Sequence, residues 1–187
     1  ADGTPAGLAS MYNDVAEAAD LAIVAGVAPA ETAALGSTSP LARALPVRGD
    51  GLRLLHQADW IAGQLSGRFD VTDENNALKT GYDPMSRRWP GWIAGTGLDV
   101  RSLPSVVPAG TRTGTVCAEM AERYGLPADV ALVAGTTDGC AAFLASGASS
   151  PGDGVTSLGT TLTLKLLSAT PVFAPQFGIY SHRIGDQ

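Results

Sequence analysis

The sequence contains few of the side chains on which metal centres, thiol chemistry and hydrolytic triads depend. Its 187 residues include two cysteines and two histidines. Cys117 and Cys140 are too far apart for a CxxC motif, so we expect two buried free thiols rather than a disulfide. His56 and His182 are also distant, which leaves a histidine metal site or a Ser/His/Asp triad little to build on. The chain has no GxxxxGK[ST], GxSxG or HExxH motif.

Charged residues are also scarce, at 16% of the chain, and positive charge is the scarcer kind. Twelve Lys and Arg against 18 Asp and Glu give a net charge of −6 without a basic stripe, so no nucleic-acid partner is expected. No apolar run approaches the ~20 residues of a membrane span, and the first residues do not resemble a signal peptide. We therefore expect a cytoplasmic protein with no membrane partner. The low charged fraction indicates that more protein covers this surface, either a second domain or a subunit contact in a homodimer.

The N-terminal quarter carries two local signals for the start of a helix. A short strand is predicted to end in a turn at Asn13 and Asp14, and Asp14 is a candidate cap for a helix over 15–26. Ser39 followed by Pro40 is a second helix start, because the hydroxyl caps and the proline suits the first helical position.

The strongest helical pattern lies over 49–67. Gly67 is predicted to end this helix. His56 lies four residues before Trp60, and we expect a core tryptophan beside a partly exposed histidine. The predicted apolar face is formed by Leu52, Leu55, Trp60 and Ile61.

The rest of the chain alternates between helical and β-type segments, which is typical of the α/β class. Both ends of the sequence are abrupt, so we expect a middle piece of a longer protein. The predicted segments are an ordered irregular stretch over 68–92, a helix over 116–124 closed by Gly125, a buried strand over 130–135, a small-residue helix over 138–148, and two β-rich runs over 154–168.

The segment over 132–149 places a single charge, Asp138, between the predicted strand and the small-residue helix. The chain turns at Gly135, and the N–H groups of the following helix then form an anion-friendly end. A carboxylate there is well placed to take a proton from an alcohol that attacks a phosphoryl group. Asp138 is also a favoured helix cap, worth about 1 kcal/mol, and the two roles are compatible.

A second glycine turn, Gly159-Thr160-Thr161, lies between the two β-rich runs at the end of the chain. Its backbone N–H and side-chain O–H groups can donate hydrogen bonds to phosphate oxygens. The alternative is an ordinary hairpin, since Gly and Thr suit turns and strands.

Taken together and in this order, four segments resemble the FGGY carbohydrate kinase family. They are "MYND" at Met11–Asp14, the stretch over 58–84 with its D-x-x-N-A pattern at Asp73, Asn76 and Ala77, the strand-turn-helix around Asp138, and "SLGTTLTLK" over 157–165. The form of the second and third segments most resembles the branch that phosphorylates ketopentoses, D-ribulose or D-xylulose.

The resemblance implies a ribonuclease H-like, actin-like ATPase fold of which this chain is an incomplete part. Residues 1–150 would belong to the N-terminal sugar-binding domain, and residues 151–187 would begin the C-terminal nucleotide-binding domain. The family's G-x-D-x-G-T hairpin is missing, because "DGT" at Asp2–Thr4 precedes "MYND" too closely and is typical of a simple turn.

The resemblance also implies roles for individual residues. Asp138 would be the general base. Asn13 and Asp14 would contact the sugar, although Asp14 lacks the arginine that follows it in many relatives and is alternatively a helix cap. ATP would be held through Gly135, Gly159, Thr160 and Thr161. Mg²⁺ would bridge its phosphates, with no metal ligand assigned in this chain. The alternatives are a catalytically incompetent piece or sugar-binding remnant, and an actin-like ATP-driven switch.

Overall fold

The computed structural model describes residues 2–159, 162–174 and 177–185. Several single turns of 3-10 helix connect the longer elements. The α-helices of the described residues are α1 (Ala18–Val27), α2 (Pro40–Ala44), α3 (Gln57–Ser66), α4 (Glu74–Ala77), α5 (Ala118–Tyr124) and α6 (Asp138–Ala145). The strands are β1 (Val71–Asp73), β2 (Ser105–Val107), β3 (Arg112–Thr115), β4 (Ala131–Val133), β5 (Gly154–Leu158) and β6 (Leu162–Leu166).

The strands pair two by two. β1 and β2 are parallel, with Thr72 opposite Val106, whereas β3 and β4 are antiparallel. β5 and β6 form an antiparallel hairpin in which Leu158 pairs with Leu162. The predicted alternation of helices and strands and the terminal hairpin are confirmed.

The hydrophobic core lies in the first half of the chain, where α1, α2 and the 3-10 helix over 91–96 pack together. Val24, Leu41, Leu45 and Ile93 are at most 1% exposed. Burying each such side chain contributes roughly 1.5–3 kcal/mol, so this cluster is the main source of stability. No helix of the described residues is long and apolar enough to cross a membrane.

The local helix signals that depend on neighbouring residues are confirmed. Ser39 Oγ accepts a hydrogen bond from Ala42 N at 3.3 Å, with Pro40 at the first position of α2. Gly67 and Gly125 end α3 and α5 in the left-handed conformation that glycine adopts without strain. Cys140 is buried, Cys117 is half-buried, and both are free thiols.

The predicted helix over 49–67 is wrong in its first half. Leu54 N donates to Ser102 O at 2.9 Å, and this distant partner holds the preceding residues out of the helix. α3 begins only after His56, and Asp59 Oδ2 accepts from the backbone N of His56 at 3.1 Å. Long-range pairing has overridden the local apolar pattern.

The predicted apolar face of that helix is also wrong. Trp60 and Ile61 are 37% and 49% exposed, and the indole N–H of Trp60 donates to Gly3 O at 2.8 Å. The inward face of α3 is formed by Asp59 and Gly63. Gly63 is small because the ring of Phe69 lies 2.3 Å from where a Cβ would be.

Two predicted strands are corrected as well. Residues 7–14 form no strand, and α1 begins at Ala18 after Glu17, so Asp14 is not its cap. β4 is present, but Ala131 and Val133 are exposed rather than buried. Within the part of the chain that the structure describes, β4 pairs with β3 alone, and this two-stranded sheet leaves Ala131 and Val133 uncovered.

Candidate functional site

Asp138 is the first residue of α6 and lies just after the turn that follows β4. Thr137 is the N-cap, because its hydroxyl accepts from Cys140 N at 3.4 Å. The alternative role of Asp138 as the cap is therefore wrong. Its carboxylate is exposed, and Oδ1 accepts from Gly139 N at 2.7 Å. An exposed carboxylate beside the positive end of a helix is free to approach a small substrate.

Lys165 brings the terminal hairpin close to the first turn of α6. A Cβ built on Gly139 would lie 3.1 Å from Lys165 Nζ and 3.5 Å from its Cε. The glycine therefore allows a lysine amine to sit against the helix start. Lys165 lies on β6 and is half-buried, so its stem is covered while its amine reaches α6.

Asn75 connects the D-x-x-N-A segment to residues 134–137, the loop between β4 and α6 that we call the Asp138 loop. Its Nδ2 donates to Thr136 Oγ1 at 3.0 Å, and its Oδ1 lies 3.0 Å from Nδ1 of His182. Asn75 is 2% exposed, so both contacts are sheltered from water. The hydrogen bonds join three segments that are distant in sequence.

The other polar residues of that pattern hold the segment itself together. Asp73 caps α4, because its Oδ1 accepts from Asn75 N at 2.9 Å and from Asn76 N at 3.0 Å. The Asn76 amide donates to Asp73 Oδ2 at 2.5 Å. Asp73 and Asn76 thus shape the turn that points Asn75 toward the loop.

His182 lies among cations. Burial is the main cause that lowers its pKa to about 4, and the charges of Lys79 and Lys165 contribute to the same shift. Tyr180 lies between the ring and one of these lysines: its ring centroid is 5.5 Å from that of His182 and 5.4 Å from Lys79 Nζ. His182 is therefore neutral at pH 7.

Lys79 and Tyr180 also line a cavity of about 150 Å³ together with Thr32, Thr38 and Ser39. Binding pockets for drug-sized ligands measure about 300–1,000 Å³, so this space is small for a substrate by itself. Hydroxyl groups and one ammonium group line part of this cavity, and a larger part of its lining is apolar.

Asn13 and Asp14 lie in an exposed turn. Asp14 Oδ2 accepts from Met11 N at 2.6 Å, and Arg43 Nη1 donates to Ser10 Oγ at 2.9 Å and to Met11 O. The second cavity, which Asp14 lines with Arg43, includes no residue of the Asp138 loop. The structure does not bring these two predicted sugar contacts together with Asp138, and their role stays a prediction.

The predicted phosphate contacts fall at two turns. Gly135 follows β4 and Gly159 follows β5, and both are exposed. Thr160 and Thr161 lie outside the described residues. The hairpin is present, and its contact with phosphate stays a prediction.

Carboxylates and histidines do not cluster as metal ligands do. Across residues 2–159, 162–174 and 177–185, no three His, Cys, Asp or Glu side chains are close enough to hold an ion. A protein cage for Mg²⁺ therefore does not fit these residues. Mg²⁺ bound to ATP takes most of its ligands from phosphates and water, so we derive no step through it.

Sequence reasoning missed Asn75, Lys79, Lys165 and His182. Asn75 lies inside the D-x-x-N-A pattern, at a position that the pattern itself leaves unspecified. His182 is one of only two histidines in the chain, which was the available signal. The lysines carried no signal, because nothing local distinguishes them from solvated surface charges.

Comparison with curated proteins finds sugar kinases among the relatives. The chain is 30% identical over 126 residues to the ribulokinase of Halalkalibacterium halodurans, a match to 62% of this chain and 22% of the relative. It is 38% identical over 97 residues to the autoinducer-2 kinase of Yersinia enterocolitica, which covers 51% of this chain and 18% of the relative. The chain thus spans about a fifth of these relatives. No protein-family model matches it.

Comparison with solved structures agrees. A carbohydrate kinase from Novosphingobium aromaticivorans superposes with a TM-score of 0.72 at 25% identity, covering 92% of this chain and 40% of that structure. The described residues therefore form part of an actin-like ATPase fold of the sugar-kinase type, as predicted. The resemblance drawn from four sequence segments is confirmed.

Proposed function

We propose, from the premise that this chain resembles the FGGY carbohydrate kinases in both sequence and fold, that it is part of an enzyme transferring a phosphoryl group from ATP to a sugar hydroxyl. The observation that carries the proposal is the placement of Asp138. It is an exposed carboxylate at the start of α6, after a glycine turn and next to Gly139, which lies against the amine of Lys165. The similarity to ribulokinase supports the same reaction.

In this mechanism Asp138 acts as general base. It accepts the proton of the terminal hydroxyl as that oxygen bonds to the γ-phosphorus of ATP. The bond between the γ-phosphorus and the β–γ bridging oxygen breaks, and ADP leaves with that electron pair. The transition state is loose, so most of the rate enhancement comes from positioning and from stabilising charge on the phosphoryl oxygens.

The positive groups around Asp138 are suited to stabilise the negative charge on the phosphoryl oxygens. The first N–H groups of α6 and the amine of Lys165 are positive groups at the same place. Gly135, Gly159, Thr160 and Thr161 would add backbone and hydroxyl donors to the phosphates of ATP. Mg²⁺ would neutralise charge on those phosphates.

We propose a ketopentose, D-ribulose or D-xylulose, as the sugar. The name of the ribulokinase relative supports ribulose, whereas the name of the autoinducer-2 kinase relative supports a different substrate. Asn13 and Asp14 are proposed sugar contacts, with residues 1–150 in the sugar-binding domain and 151–187 at the start of the nucleotide-binding domain. A cytoplasmic location and a homodimer belong to the same proposal.

The test is ADP release by the protein expressed from its complete open reading frame, with Mg-ATP and one sugar at a time. D-ribulose, D-xylulose, L-ribulose and glycerol are offered to the wild type, to Asp138→Ala and to Asp129→Asn. Asp129 is an exposed carboxylate in the turn before β4, so its variant is the matched control.

We expect one ketopentose to stimulate ADP release, Asp138→Ala to lower that release by about 10²–10⁴-fold, and Asp129→Asn to keep it. A general base contributes about 10²–10⁴-fold. Near-normal turnover in Asp138→Ala would remove the base assignment. Release of ADP without sugar would favour the ATP-driven switch, and no release with any sugar would favour a protein that binds without catalysis.

A further inference from the structure

We infer that His182 is a positioning residue that holds the Asp138 loop in place through Asn75 and Thr136. The inference rests on the proposed function, because it assigns a role in the reaction of Asp138. The three side chains form a continuous hydrogen-bonded chain, with 3.0 Å at each of its two links. Thr136 lies two residues before Asp138 and directly before the helix cap Thr137.

The direction of each hydrogen bond follows from the amide of Asn75. Its Nδ2 donates to Thr136 Oγ1, so its Oδ1 is turned toward His182 and can only accept. His182 therefore carries its proton on Nδ1 and donates. The neutral imidazole then has an unprotonated Nε2, so the tautomer is set by the network.

The hydrogen bonds of Asn75 matter for the Asp138 loop because the Asn75 side chain is buried. Asn75 is 2% exposed, so an atom of its amide that loses its hydrogen-bond partner is left buried and unsatisfied, which is unfavourable. Gly135 has no side chain to anchor the loop, whereas Thr137 is engaged with the N–H of Cys140. Thr136 thus joins this loop to α4 by a hydrogen bond, and His182 fixes the orientation of the amide that holds Thr136.

The charges around His182 support the neutral form. The positive charges of Lys79 and Lys165 act on the ring, whereas Arg183 donates from Nη1 to Pro84 O at 2.9 Å. A protonated imidazole would add a third cation beside two lysines. The neutral ring keeps the hydrogen bond to Asn75 without that repulsion.

The test uses three substitutions at His182 in the protein expressed from its complete open reading frame. His182→Ala removes the donor. His182→Asn places an N–H near the former position of Nδ1, and His182→Gln places one nearer the former position of Nε2. The first readout is kcat and KM for the sugar that supports ADP release in the wild type. The second is hydrogen exchange of the amides of Gly139 and Cys140 at the start of α6.

We expect His182→Ala and His182→Gln to lower kcat by about 10–100-fold with KM changed less than about threefold, the range set by the loss of one buried hydrogen bond. His182→Asn should recover kcat to within about threefold. Exchange of the two amides should rise by about tenfold in His182→Ala and return toward wild type in His182→Asn. This pattern identifies a role through Nδ1, which a merely space-filling side chain would not show.

Three results would overturn the inference. One is an unchanged kcat in His182→Ala, and another is a loss confined to KM, which would make His182 a substrate contact. The third is equal losses in the Asn and Gln variants. A wild type without sugar-dependent ADP release refutes the proposed function instead. In that case unchanged exchange in His182→Ala also refutes the positioning role, and increased exchange reversed by His182→Asn supports it.

Discussion

The first half of the chain and the terminal hairpin contain the same kinds of apolar side chain but use them differently. Leu41, Leu45 and Ile93 are at most 1% exposed, in a cluster built from α1, α2 and the 3-10 helix over 91–96. In the hairpin, the described residues leave four leucines uncovered: Leu158, Leu162, Leu164 and Leu166 are 65–86% exposed. One region is stabilised by its own packing, and the other is not.

The register of the hairpin explains which side is uncovered. Leu162, Leu164 and Leu166 alternate along β6, so they share one face, and Leu158 joins them as the cross-strand partner of Leu162. Lys165 therefore points to the opposite face, where it meets Gly139. The hairpin presents a polar contact to the proposed active site and an apolar face away from it. The difference shows that the start of α6 contacts a hairpin whose apolar face is uncovered in the described residues.

The largest expected effect is the loss of folding free energy when a core leucine is shortened. Leu41→Ala should lower the free energy of unfolding by about 2–5 kcal/mol, because a buried leucine leaves a cavity. Leu164→Ser on the hairpin should change it by less than about 0.5 kcal/mol, because that side chain is 75% exposed. Chemical denaturation of both variants measures the contrast. Equal losses would show that the leucine face is covered in the folded protein.

The next effect concerns His182 and pH. Its pKa is about 4 in the folded protein and 6.5 in the reference state, so between these values the unfolded chain binds a proton that the folded one does not. The free energy of unfolding should therefore fall as pH drops from about 6.5 to about 4. The full contribution is on the order of 3 kcal/mol, before allowance for partial exposure.

The matched control for the pH effect is His182→Asn, which keeps a donor and removes the titration. Carboxylates titrate in both proteins, so the difference between wild type and variant isolates the histidine. Denaturation at several pH values measures it. A difference that is constant from pH 7 to pH 4 would contradict the depressed pKa.

The smallest expected effect concerns the contact between Gly139 of α6 and Lys165 of the hairpin. Gly139→Ala places a methyl group 3.1 Å from the present position of Lys165 Nζ, and the flexible amine can move aside. Stability should change by less than about 1 kcal/mol, because alanine also favours the helix. The kcat for sugar-dependent ADP release should fall more clearly, by about three- to tenfold, if Lys165 stabilises phosphoryl charge.

Combining Gly139→Ala with Lys165→Met tests whether the two effects share one cause. The double variant should be no slower than Lys165→Met alone, since the displaced amine is already absent. Multiplicative losses would show that Gly139 and Lys165 act independently.

Sequence reasoning predicted what local chemistry determines. The start of α2 at Ser39 and Pro40 and the ends of α3 and α5 at glycine depend on a few adjacent residues, and all are confirmed. The start of α3 depends on the pairing of Leu54 with Ser102, 48 residues away in sequence, which no local pattern contains. Because of this long-range hydrogen bond, α3 begins at Gln57 and not at the predicted residue 49.

In the candidate site, too, the features set by adjacent residues were predictable and those set by long-range contacts were not. The strand-turn-helix around Asp138 was predictable because glycine, threonine and aspartate mark such a turn. The distinction between Thr137 and Asp138 as cap was not, since both residue types cap helices well. The links from Asn75 to Thr136 and to His182 span 61 and 107 residues, so only the folded chain reveals them.

The leucine face of the terminal hairpin has a further consequence for the colloidal behaviour of the polypeptide. Four neighbouring leucines on an open two-stranded sheet make an adhesive surface, and such a sheet also presents unpaired backbone groups at its edges. A polypeptide restricted to these 187 residues would therefore self-associate in concentrated solution, through hydrophobic contact and strand addition. Polar substitutions on that face alone would delay its precipitation while leaving Lys165 on the opposite face.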